Sequence, residues 1–416
     1  MNLWISDKWL TMVLLCLSGS TIYWFPFLSE IYYVPMQDAF GFSKTQIGIL
    51  SATFGFTSLV GYIPGGWLAD RISSRKLMSV ALMITSAGGF VFSTLPSFEI
   101  CISLYGFWGL ATACVFWSAL IKATREWGSK NEQGRAFGFL EGGRSFFDMT
   151  SATILVLIFA WRGAGDTALS EVILLLALST LVLAVLVWTT IKDDMEQGEN
   201  VQEHRLTLNV AGIIEVLKLP MVWFIAIIIM TAYVGLWGAI LFTPYATEVF
   251  ELGAVLGGAI GTGKLWVAFF AAIAAGFLAD KIGCAKAVLG FFVLMTSGFL
   301  VFGLVPGSPT LVPFLLINVT LMAVAVYALR GIYFSLLEQG GIPIAVTGTA
   351  IGVVSVIGYS PDIFMPIIGG MILDANPGAG GYQTLFLVVT AFCFVGLIAA
   401  YVVYRKIQLG PATSTK

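Results

Sequence analysis

The chain has 416 residues, of which 58% are hydrophobic and 11% charged, where an ordinary soluble domain carries about a quarter charged residues. That balance excludes a water-soluble globular domain, and a formal net charge of -2 is too small to argue for nucleic acid or any strongly charged partner, so no nucleic-acid partner is expected. The expected class is an all-α integral membrane protein. A span of about 20 apolar residues matches the hydrocarbon core. On that measure spans are expected over 9–34, 46–69, 77–96, 100–123, 136–160, 168–191, 221–247, 255–279, 286–306, 311–336, 346–372 and 383–404.

The first span is too long for a signal-peptide core and no small-residue cleavage pattern follows it, so it reads as a retained helix. Within it, Tyr23-Trp24-Phe25-Pro26 combines aromatic rings with a proline that frees a backbone carbonyl, which makes Tyr23 and Trp24 candidates for facing substrate. Glu30 sits near its outer end. The second span closes on Gly66-Trp-Leu-Ala-Asp70-Arg71, with Arg75 and Lys76 just beyond. Lys122 and Arg125 close the fourth, where snorkelling cations are usual, although Lys122 is also a candidate for reaching substrate.

In the fifth span Glu141, Arg144 and Asp148 follow at i, i+3 and i+7, which puts all three on one helix face. A carboxylate of this triad, or Glu30, is the candidate proton carrier, because no span contains a histidine. The polar stretch from Lys192 to Lys218 holds the only histidine, His204, and reads as a linker. Beyond it Lys264 lies in the eighth span, Arg330 in the tenth, and Asp362 follows Pro361 at an expected helix break in the eleventh. A cation in lipid costs roughly 2.5–3.5 kcal/mol, so Arg144, Lys264 and Arg330 each need a partner or a task. Internal pairing is one reading; the other is a set of cations that recognises a carboxylate or phosphate.

Placing the N-terminus in the cytoplasm puts 16 Lys and Arg in cytoplasmic segments and only Lys44 and Arg162 on the other side. This bias sets both termini in the cytoplasm and requires an even number of spans. The segment Gly276-Phe-Leu-Ala-Asp280-Lys281 repeats Gly66-Trp-Leu-Ala-Asp70-Arg71 at an offset of 210 residues, at the end of the second helix on each side of the linker. The expected organisation is therefore a six-helix bundle over 1–191, a cytoplasmic linker over 192–220 and a second, pseudo-symmetric six-helix bundle over 221–416, twelve transmembrane helices in all. The five cysteines lie in or beside apolar stretches without metal-ligand or CxxC spacing and read as packing residues. Neither a metal nor a cofactor is expected, nor a catalytic constellation: there is no HExxH or GxSxG, and the phosphate-loop-like Gly258-x-x-x-x-Gly263-Lys264 ends on Leu265 inside an apolar helix.

The run Gly66-x-x-x-Asp70-Arg71-x-x-x-Arg75-Lys76, with the span count and linker, resembles the loop signature of the major facilitator superfamily. Ser73 stands where the signature usually has glycine, and Cys284-Ala285 replace basic residues common in the second copy. The resemblance implies alternating access and a gating role for Asp70, Arg71, Arg75, Asp280 and Lys281. Lys122, Glu132-Gln133-Gly134-Arg135, Glu141-Gly-Gly-Arg144, Asp148, Arg330 and Ile372-Leu-Asp374-Ala-Asn376-Pro377-Gly378 further resemble YihN-type bacterial permeases. The expectation is a monomeric secondary transporter of the bacterial inner membrane, embedded in lipid. It would carry a small organic anion or sugar-phosphate-like solute, either proton-coupled or by exchange. Neutral sugar or polyol uptake and drug efflux are the rival cargoes. A receptor of transporter shape is the rival class, against which the linker is short.

Overall fold

The computed structural model describes residues 2–127, 133–191, 216–342 and 344–409, and among these all regular structure is helical. The expected linker from Lys192 through His204 to 215, together with Lys130 and Glu132, lies outside the described residues. Among the described residues ten segments are long and apolar enough to cross a membrane, and they coincide with ten of the twelve expected spans. The other two expected spans are helical as well.

The first of these is broken. Helix α1 (Asn2–Thr21) and helix α2 (Ser29–Phe40) are separated by a turn over residues 22–28. Pro26 has no N–H to give the carbonyl of Ile22, so the α-helical ladder cannot continue through it. The second lies within α3 (Lys44–Arg71), whose 28 residues span ~42 Å. Ser43 starts it with a capping box: its hydroxyl accepts from Gln46 N–H at 3.1 Å, and the Gln46 side chain accepts from Ser43 N–H at 2.9 Å.

Contacts divide the chain into two compact units: Met1–Val201 with Gly253–Leu265, and Gln202–Leu252 with Trp266–Lys416. In the first unit follow α4 (Ser74–Phe92), α5 (Phe98–Leu110), a π-helical turn (Ala111–Trp117), α6 (Ser118–Trp127), α7 (Gln133–Trp161) and α8 (Asp166–Thr190). Helix α4 packs on α8, α3 on α5 and the π-turn, and α1 on α7. Leu15, Leu82, Phe116, Ala119, Ala184 and Val187 belong to the buried core they share. Close approach of α3 to the π-turn depends on Gly65, where an added Cβ would lie 2.7 Å from the Ala113 carbonyl oxygen.

The second unit contains α9 (Pro220–Ile240), α10 (Phe242–Glu248), α12 (Cys284–Leu304), α13 (Val312–Ile332), α14 (Leu336–Gln339), α15 (Ile344–Gly358), α16 (Pro361–Ala375) and α17 (Ala379–Leu409). Helix α17 packs on α12 and α9 over a core of Phe242, Tyr245, Phe299, Phe302, Tyr382 and Phe386 rings. Helix α11 (Gly253–Ile282) belongs to both units, its first 13 residues counted with the first unit and the rest with the second.

Candidate functional site

In the first unit the break in the first span creates the site. In an unbroken helix Tyr23 N–H would bond the carbonyl of Gly19; here it bonds that of Ser20 at 3.2 Å, and the Gly19 oxygen is released. Arg144 of α7 takes it, Nε donating at 3.0 Å. The approach is possible because residue 19 has no side chain: a Cβ there would lie 2.8 Å from Arg144 Cδ. One residue earlier on α7, Gly143 packs against Cys16, which brings α7 close to α1.

Arg144 also donates from Nη1 to Glu141 Oε1 at 2.9 Å. Its guanidinium carbon lies 5.5 Å from the Tyr23 ring centroid and 5.2 Å from that of Trp117, within cation–π range of both. Tyr62 of α3 is within electrostatic reach of Tyr23. A turn beyond Arg144, Asp148 accepts a hydrogen bond from Ser20 in α1. The helix-face triad is thus assembled as the spacing suggested, but with unequal surroundings: Glu141 is 61% exposed, whereas Asp148 is half-buried and tied to the broken helix.

Lys264 pairs with Glu30, a carboxylate that is itself within electrostatic reach of Asp148. The lysine is 2% exposed, and its Nζ lies 2.7 Å from Glu30 Oε1, an ion pair that fastens the first half of α11 to α2. No acidic neighbour of Lys264 exists along the sequence, so this partner was not readable from spacing. Trp24 is buried. Lys122 donates to the carbonyl of Ala69 at 3.0 Å, at the end of α3, where a cation offsets the helix C-terminal partial charge.

The second unit holds a separate group. Arg330, in the last turn of α13, is exposed and lies 5.9 Å from the Tyr233 ring centroid and 5.8 Å from that of Tyr327. Tyr333 and Tyr359 are within its electrostatic reach. It forms no ion pair among the described residues. Asp362 opens α16 directly after Pro361, at the helix break expected there, and its Oδ1 accepts from Trp237 Nε1 at 2.9 Å.

Of the expected gating residues, Arg71 is exposed and folds back over its own Trp67 ring at 4.0 Å, and Arg75 lies 5.4 Å from the Trp188 ring. Asp280 and Lys281 are exposed at the end of α11. The side chain of Asp70 lies outside the described residues, as do those of Gln133 and Arg135. Gly19, Ser20, Trp117, Tyr233, Tyr327 and Trp237 are members of these groups that sequence reasoning passed over. For Tyr233 and Tyr327 a signal did exist in the repeat.

The family model of the Major Facilitator Superfamily matches residues 9–360. The chain belongs to this superfamily. It is 28% identical over 407 residues to the inner membrane protein YihN and 26% identical over 406 residues to the inner membrane protein YqcE, both of Escherichia coli (strain K12), covering 96% of each chain in both cases. A solved structure of a bacterial homologue of the human lysosomal transporter Spinster, inward-facing and unoccupied, superposes with a TM-score of 0.77 at 15% identity over 98% of this chain and 99% of that one, a likeness of fold. Shorter matches include the "Probable hexose phosphate transport protein" of Chlamydia trachomatis, 28% identical over 28% of this chain and 25% of that one. Another is the "Probable galactarate/D-glucarate transporter GudP" of Bacillus subtilis, 25% identical over 34% of this chain and 32% of that one. The protein is a facilitator-superfamily transporter embedded in the membrane, and its neighbours in family and fold are transporters rather than enzymes.

Proposed function

We propose that this transporter carries a small organic anion, a sugar acid or sugar phosphate, across the bacterial inner membrane by alternating access. Arg330 carries the reading: an exposed guanidinium in a membrane-embedded helix, resting on tyrosine rings, without an ion pair among the described residues. A cation in that position favours a carboxylate or phosphate, whose geometry its N–H fork matches. Arg144 supports it from the first unit. The partial relatives named for hexose phosphate and for galactarate or D-glucarate transport lend the same direction, both being carriers of anionic sugars by name.

Each arginine has a carboxylate nearby, Asp148 in the first unit and Asp362 in the second, and we assign proton coupling to these two rather than to the exposed Glu141. Lys264 and Glu30 are assigned to holding α11 against α2, outside the binding set. The six-helix halves at 1–191 and 221–416, joined by 192–220, are the bodies taken to move, with both termini cytoplasmic, in a monomer. Gating is assigned to Asp70, Arg71, Arg75, Asp280 and Lys281.

The test is thermal unfolding of detergent-purified protein with glucose 6-phosphate, galactarate, succinate, glucose, mannitol and a lipophilic cation. Ligands of the folded state raise apparent stability. Stabilisation confined to anions, and abolished in Arg330→Gln, is the expected outcome; stabilisation by neutral or cationic compounds alone overturns the reading.

A further inference from the structure

The offset of 210 residues that relates Gly66 to Gly276 and Asp70 to Asp280 also relates Tyr23 to Tyr233 and Trp117 to Tyr327. These are the two aromatic pairs that hold the two arginines: Arg144 lies over Tyr23 and Trp117, Arg330 over Tyr233 and Tyr327. With aromatic residues at 14% of the chain, two such matches at a fixed offset have a chance of about 2%.

The arginines themselves are not repeat-related. Residue 354, the counterpart of Arg144, is valine, and residue 120, the counterpart of Arg330, is leucine. Arg144 reaches its pair from α7, whereas Arg330 stands three residues after Tyr327 on the same helix, at the spacing that makes helix neighbours. The duplicated element is therefore the aromatic pair, and each half has brought a guanidinium to it by a different route. A structural cation would need no such recurrence.

We propose that each aromatic pair is a platform that positions a guanidinium for one oxyanion, giving the transporter two oxyanion subsites, Arg144 on Tyr23 and Trp117 and Arg330 on Tyr233 and Tyr327. This rests on the anion reading above and names the residues that orient the cation within it. A guanidinium near ring faces is held by the ring quadrupole while its in-plane N–H groups stay available to a carboxylate or phosphate. Every member of each subsite belongs to one compact unit, so each subsite survives any movement of one unit against the other. The copies are unequal: Arg144 already serves Gly19 and Glu141, while Arg330 makes no ion pair among the described residues and has Asp362 only within electrostatic reach, so the second subsite has the larger effect on affinity.

Tyr233, Tyr327 and Trp117 act through the arginines and are positioning residues. The experiment is titration of galactarate and glucose 6-phosphate into the full chain in detergent, with proteoliposome uptake to separate KM from kcat. Tyr327→Leu and Tyr233→Leu are expected to weaken the oxyanion about ten-fold, through KM, while Tyr327→Phe and Tyr233→Phe, which keep the ring face, stay within about three-fold of the wild type. Trp117→Leu is expected to weaken it less. Equal losses in the Phe and Leu variants, or no loss in either, overturn the platform while leaving anion transport standing; no oxyanion binding to the wild type overturns both. Should the Leu variants fail to elute as folded protein, Arg330→Lys decides: the fork is lost and the charge kept, so about a ten-fold loss is expected, and unchanged affinity overturns the proposal.

Discussion

The Lys264–Glu30 pair allows a stability prediction from geometry alone. The two atoms are 2.7 Å apart; the Lys264 side chain is sealed from solvent and that of Glu30 is 17% exposed. Removing one partner of a buried pair costs about 3–5 kcal/mol, because the other charge stays buried without its counter-ion from that pair. The two removals are not equivalent. Glu30→Leu takes the carboxylate from an enclosed ammonium and falls at the upper end, about 4–5 kcal/mol, while Lys264→Met takes the cation from a carboxylate with a path to water and costs about 2–3 kcal/mol. At about 2 °C per kcal/mol for a unit of about 200 residues, the expected losses are about 8–10 °C and about 4–6 °C. The double variant replaces the pair by apolar side chains and should recover most of the larger loss. Thermal unfolding of the four proteins in one detergent closes the cycle. Coupling below about 0.5 kcal/mol, or a larger loss in Lys264→Met than in Glu30→Leu, refutes the reasoning.

Gly19→Ala introduces a Cβ against Arg144 and removes its bond to the Gly19 carbonyl; about 1.5–3 kcal/mol of stability should go with it, read as a fall in unfolding temperature. Gly65→Ala sets a Cβ against the π-turn backbone and should cost about 1–3 kcal/mol, more than Gly138→Ala, where nothing lies within 4 Å. Asp362→Asn keeps an acceptor for Trp237 but cannot bind a proton, so uptake should lose its dependence on external pH while counterflow exchange continues; a steep pH profile that persists would move the coupling role to Asp148. Arg144→Lys loses the double engagement of Gly19 and Glu141 and should lower transport at least about ten-fold, measured as initial uptake rate.

The membrane spans are legible in the sequence because lipid demands unbroken apolar runs, and among the described residues ten of them reappear as helices both long and apolar enough to cross. Pro26 announced the broken first span, and the i, i+3 spacing announced the Glu141–Arg144 pair, since both follow from local backbone geometry. Lys264–Glu30 was beyond reach: its partners are 234 residues apart and meet only because the first half of α11 packs with the first unit. Trp117 joins Arg144 at the end of a π-turn that is pressed against Gly61 and Gly65 of α3, a long-range cause that no local pattern records. Tyr233 and Tyr327 lay within reach, since the loop repeat at 210 residues finds both once it is followed into the helices.

Counterflow in proteoliposomes tests anion transport most directly: vesicles loaded with galactarate or glucose 6-phosphate, challenged with the labelled compound, beside vesicles loaded with glucose or a lipophilic cation. The account predicts accumulation of an anionic solute only, lost in Arg330→Gln and reduced in Arg144→Gln. Accumulation of the neutral sugar or the cation, undiminished in both variants, would contradict it.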